Sequence, residues 1–175
     1  MQGRNKAPTN DWATSWRLGR LSGLGSELVS FNFKLLHGLL VTRQRLHHLT
    51  PAAAATCSHC DAQVDEDLQH ALIDCSYNHG AGQALLHTVQ ASIPELTATS
   101  LLRLELPSLA TDVDAELSTV TFISTVLQEI WNKRFTKTRI LLFDIRATLE
   151  ARCLLLRKSR LGNSFETLSN LIQSL

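Results

Sequence analysis

With 175 residues, 44% hydrophobic and 19% charged, the chain can bury the core of one ordinary domain or two small ones, which excludes a disordered polar tail. No apolar run approaches the roughly 18 residues of a membrane span, and the polar start MQGRNKAPTNDW lacks the apolar stretch of a secretory signal, so an intracellular protein of cytoplasm or nucleus is expected. The formal net charge of +1 conceals an asymmetry: +5 over residues 1–60, −10 over 61–132 and +6 over 133–175. Two basic ends around an acidic middle suit mutual docking, or basic surfaces left for phosphate.

Residues 1–25 read as a linker segment, with Gly3, Pro8, Gly19, Gly23 and Gly25 around Trp12 and Trp16. The two tryptophans lie four apart and would share a helical face, anchoring the segment to the core. Ser26 is a candidate N-cap for SELVSFNFKLLHGLL, where Leu28, Phe31, Leu35, Leu36 and Leu39 recur at helical spacing. Thr42 can cap a short helix, TRQRLHHL, that Pro51 stops. DEDLQHALID reads as another short helix, its acidic residues in the first turn where the helix dipole favours them. HGAGQALLHTVQASI follows, ended by Pro94. Thr99 or Ser100 starts SLLRLEL, stopped by Pro107.

Two long helices are expected next. Residues 112–134 carry Leu117, Val120, Ile123, Val126, Leu127, Ile130 and Trp131 on an apolar face, and a second helix spans 137–160 before Gly162. NSFETLSNLIQSL would form a last short helix, capped by Asn163 or Ser164. No alternating strand stands out. The fold class is therefore all-α, with two long antiparallel helices after a helical module at 26–94, inside a C-terminal region at 95–175. Leu28, Phe31, Leu35, Leu39, Leu68 and Leu72 are expected to share a small core.

Inside that module the spacing is Cys57-x2-Cys60-x9-His70-x4-Cys75. Thiols of an intracellular chain stay reduced, and clustered ones more often bind metal than pair. A C-x-x-C turn brings two thiolates to one ion, and zinc takes four N/S ligands tetrahedrally. Five residues separate His70 from Cys75, about 140° round an α-helix. The two converge only if the helix frays or turns near Ile73–Asp74. A filled shell leaves no position for water, so one structural Zn2+ would close a loop and supply folding energy. His59 would point outward, His79 is an alternative ligand, and Cys153 reads as a core residue.

FKLLHGLLVTRQRLHHL followed by CSHCDAQVDEDLQHALIDC resembles the zinc-binding domain at the C-terminal end of LINE-type (non-LTR) retrotransposon reverse transcriptases. That family has W/F-K-L-L-H-x-L-L-P-T-R-x-R-L, then C-x-x-C and E-D-x-x-H-x-x-x-x-C. Phe33, Lys34, Leu35, His37, Leu40, Thr42, Arg43, Arg45 and Leu46 fall on the first part. Cys57, Cys60, Glu66, Asp67, Leu68, His70 and Cys75 fall on the second. Val41 departs from the family proline. The similarity extends over residues 12–160, with AGQALL and IRATLEARCLLLRKSR like the tail of such polyproteins.

The resemblance implies a parent RNA-directed DNA polymerase of which this chain is a non-catalytic piece. It has no Y/F-x-D-D signature and no carboxylates spaced for two-metal chemistry. The implied role is a nucleic-acid-binding module for template RNA or target DNA, with no membrane or small-molecule partner. Lys34, Arg43, Arg45, Lys133, Arg134, Lys137, Arg139, Arg157, Lys158 and Arg160 suit phosphate contacts. His47 and His48 could stack or touch the backbone. Arg43 and Arg45 diverge by about 200° on a helix, so one is expected to turn toward Asp65 or Glu66. The alternative is a structural and interaction module whose zinc only staples helices that dock on the parent protein or another copy.

Overall fold

The computed structural model describes residues 12–106, 113–136, 138, 140–158, 168–173 and 175. In chain order these form α1 (Trp12–Leu18), α2 (Ser26–Leu36), α3 (Arg43–Leu49), a π-turn at His70–Asp74, a 3-10 turn at Ser76–Asn78, α4 (Ala81–Gln90), α5 (Ala98–Leu102), α6 (Val113–Thr136) and α7 (Leu142–Lys158). Residues 168–173 are helical too. The architecture is all-α, and the β-structure among the described residues is one isolated bridge between Thr56 and Asp65. No helix among them is long and apolar enough to cross a membrane.

Helix α6 is the axis of the molecule, packing against α1, α2, α4, α7 and the π-turn. All seven expected apolar positions are buried, and so are Ser118, Thr119, Thr121, Phe122, Ser124 and Thr125 between them. Burial on every side marks a central helix, not an amphipathic surface one. Lys133 pairs with Asp144 at 3.2 Å and Arg152 with Gln128 at 3.1 Å, so α7 runs back antiparallel along α6. One cluster of buried residues runs from Leu18 through Leu72, Leu85 and Ile123 to Ile172.

The local starts and stops differ from the expected ones in instructive ways. Thr42 caps α3 as its position suggests, its hydroxyl accepting from Arg45 N at 3.2 Å. Ser26 is the first helical residue of α2, and the N-cap is Gly25, with no side-chain cap. Thr97, not Thr99 or Ser100, caps α5 by accepting from Ser100 N. Leu39, placed on the buried face by its spacing, is exposed because α2 ends at Leu36 and Gly38 turns the chain at a φ of 58°. Leu28, Phe31, Leu35 and Leu72 are buried, Leu68 partly so. Pro107, Gly162, Asn163 and Ser164 lie outside the described residues.

Candidate metal centre

The segment that carries the cysteines begins as a pinch of backbone. Cys57 N donates to Val64 O at 2.9 Å and Glu66 N to Ala55 O at 3.0 Å. At its tip His59 N donates to Cys57 Sγ at 3.4 Å, the kind of contact that steadies a thiolate. The chain then enters a helical turn at Asp67, whose carboxylate accepts from His70 N at 2.7 Å.

Convergence of His70 and Cys75 is achieved by a wide turn, not by fraying. Cys75 N donates to His70 O at 2.8 Å, an i→i+5 bond, and His70–Asp74 is a π-turn. The extra residue in the turn rotates position 75 back toward the face of position 70. Asn78, fully buried, holds the turn by donating from Nδ2 to Ala71 O at 2.9 Å. Gly82 of α4 lies against the same backbone. A Cβ there would stand 2.2 Å from Leu72 O, so only glycine lets α4 pack this close.

The pinch and the π-turn bring Cys57, Cys60, His70 and Cys75 together, their ligand atoms all within 4.8 Å of one another. Cys57 Sγ lies 3.8 Å from Cys75 Sγ, and Cys60 Sγ lies 3.3 Å from His70 Nε2. A disulfide would need about 2.05 Å, and the cysteines are free. The four could hold a metal ion. His79 is not in this group; it occupies a left-handed position after the 3-10 turn, near the Tyr77 ring. The His59 ring is 5.0 Å from the same Tyr77 ring. Cys153 is buried in the core, as expected.

A charged pair, Glu66 within the motif and Arg134 from α6 outside it, completes the centre. Arg134 of α6 is 4% exposed and donates to both Glu66 Oε2 and Cys57 Sγ, the latter at 3.4 Å. The other oxygen of Glu66 accepts from Arg43 N at 3.2 Å. Burial alone would raise the Cys57 thiol, but the hydrogen bonds from His59 N and Arg134 outweigh it, and its pKa falls below that of a free cysteine. Cys75 feels burial more strongly and is pushed up to about 11. Burial likewise opposes the Arg134 charge, and Glu66 with Cys57 more than restores it.

Arg134 thus leaves the set of residues suited to phosphate, because its guanidinium is buried against a carboxylate and a thiol. The partner anticipated for Arg43 or Arg45 falls to it instead. The Arg43 guanidinium reaches Ser58 Oγ at 3.0 Å, and that of Arg45 donates to Gly38 O. Lys34 is exposed, whereas Lys133 is engaged by Asp144. His47 Nδ1 sits 2.7 Å from Ala53 O, and His48 is exposed. Lys137, Arg139 and Arg160, and the side chains of Arg157 and Lys158, lie outside the described part. The role of Arg134 had a signal in the sequence. Ile123, Leu127, Ile130 and Arg134 follow at helical steps, so a cation continues a buried stripe.

Compared with known proteins, the chain matches no protein-family model, no curated protein and no solved structure.

Proposed function

We propose that this chain is a zinc-stapled, non-catalytic helical module that binds nucleic acid, of the kind found at the C-terminal end of non-LTR reverse transcriptases. The carrying observation is the geometry of the four ligand atoms. Zinc bonds of about 2.3 Å to sulfur and 2.0–2.1 Å to nitrogen give a regular tetrahedron edges of about 3.8 Å between sulfurs and about 3.5 Å between sulfur and nitrogen. Two of the six edges here measure 3.8 and 3.3 Å, and all six lie within 4.8 Å. Three cysteines and a histidine are a soft donor set that suits zinc over magnesium or calcium. When bound, the ion would close the loop and contribute folding energy. With three thiolates and a neutral imidazole the site would carry one net negative charge, and Arg134 at Cys57 opposes it.

The family part of the proposal rests on the likeness of residues 33–46 and 57–75. The nucleic-acid part is supported by that likeness and by the basic ends of the chain. Its partners would be template RNA or target DNA, held by Lys34, Arg43 and the C-terminal cations, and the rest of a parent polymerase. Asp61, Asp65 and Asp67, all exposed, make the tip of the pinch repel phosphate, so affinity belongs to the flanks. A second reading, docking onto protein, is favoured by the outer face of α7, where Leu142, Phe143, Leu154 and Leu155 are exposed.

Gel-shift titration of RNA and DNA against salt separates the two. The proposal expects steep loss of affinity with salt, and a slope lowered by up to about 2 in the double variant Arg157→Ala, Lys158→Ala. A salt-insensitive interaction, or no binding, would favour docking.

A further inference from the structure

Next to the metal turn, but outside it, lies a recess of about 780 Å³, within the size range of ligand sites. Trp12, His37, Arg45, His48, Gln69 and Arg103 are among its walls. One wall continues into a ring cluster: His37 stands 4.6 Å from Trp16 and 4.5 Å from Phe33, and Trp16 and Phe33 are 5.8 Å apart, all tilted. This cluster is not core. Phe33 is 46% exposed and Trp16 half-buried; Trp12, in the recess wall, is 45% exposed, so of the two tryptophans expected to anchor the chain only Trp16 packs against neighbouring rings.

Large rings held at a surface beside cations suit the stacking of unpaired bases. An unpaired base stacks on an aromatic face whatever its identity, while arginines meet the phosphates of the same strand. The recess brings two arginines against one acid, Asp67, and the Asp67 oxygen Oδ1 is already taken by His70 N. Arg45 donates to Gly38 O and Arg103 stands 3.9 Å from Glu105, and an apolar peptide would add no acceptor for either guanidinium, whereas a phosphate would. A duplex hides the base faces that the rings would need. We infer that the recess and its ring cluster form a stacking subsite for unpaired nucleobases of single-stranded nucleic acid. The inference rests on the nucleic-acid reading above and adds a site to it that does not depend on the basic tail.

The test uses the zinc-loaded chain and strands of about 12 nucleotides, within the usual site sizes. Oligouridine, oligothymidine, an abasic strand of the same length and a duplex are titrated by fluorescence anisotropy, with tryptophan quenching as a second signal. The inference expects strands with bases to bind about tenfold or more tighter than the abasic strand. Trp12→Ala or Phe33→Ala should remove that preference while leaving abasic binding unchanged, and Trp12→Phe should restore it. Melting and zinc content confirm that each variant is folded. Equal, salt-dependent binding of abasic and base-bearing strands would overturn the stacking site and leave the basic-residue reading intact. No binding of any strand would overturn both. A wild-type chain that self-associates, made monomeric by Trp12→Ala, would show the recess to be a protein contact and overturn the inference.

Discussion

The pinch at 55–66 and helix α6 sit side by side and are held by different forces. From Leu117 to Leu127 every residue of α6 is buried, and the helix is fixed by the apolar groups that surround it on all sides. In the pinch, Cys57 and Glu66 are the buried residues, and both are polar or ionisable. Its shape comes from a pair of backbone hydrogen bonds, a cluster of three thiols and an imidazole that could hold a metal ion, and one ion pair. Arg134 belongs to both regions: it ends the buried stripe of α6 and supplies the cation that Glu66 and Cys57 require. The comparison teaches that the helical part can form from burial alone, whereas the pinch needs its ligand set satisfied.

The largest expected effect tests that separation. Chelation, or Cys60→Ser, should open amides of 55–66 to rapid hydrogen exchange, since structural zinc supplies apparent binding energies of about 10–16 kcal/mol in small peptides. Amides of 117–127 should stay protected. Equal loss in both regions would break the comparison. Next in size is Arg134→Met, which strands a buried carboxylate and should cost about 3–5 kcal/mol in denaturant unfolding. Adding Glu66→Gln should recover part of it. A double variant no better than the single would mean that Arg134 acts by packing.

Leu35→Ala should cost about 2–5 kcal/mol through the cavity it leaves, and Gln44→Ala at most about 0.5 kcal/mol. Equal melting temperatures would contradict the buried face of α2. The smallest effect belongs to the pair Arg17–Glu116, 2.6 Å apart with Arg17 half exposed. Arg17→Ala should cost below about 1 kcal/mol, screened by solvent and salt. The hydrogen bond and charge of Arg17 outweigh burial and hold the Glu116 carboxyl below its usual pKa. Its contribution is therefore present above the unfolded carboxylate pKa and lost as pH falls through the lowered folded value. Wild type and Arg17→Ala should converge in stability on acidification; a difference that grows would reverse the assignment.

How much of this could be read in the sequence depends on the range of the forces. The helices were legible because apolar spacing and Thr42 act within a few residues, and the ligand set because Cys57, Cys60, His70 and Cys75 lie within one short segment. The π-turn was not, because it is chosen by tertiary contacts: Asn78 pulling on Ala71 O, and Gly82 admitting α4. Arg134 was assigned to the surface because a basic residue in a basic region reads as solvated until its partner, far back in the chain at Glu66, is in place. Leu39 failed for a local reason, a helix that ended sooner than its apolar pattern.

The most direct test of the central claim is native mass spectrometry of the purified chain with zinc absorption spectroscopy. The account predicts one zinc per chain in a three-sulfur, one-nitrogen shell, lost in Cys60→Ser and retained in His79→Ala. A chain that carries no metal and folds identically in chelator, or one whose zinc survives Cys60→Ser, would contradict it.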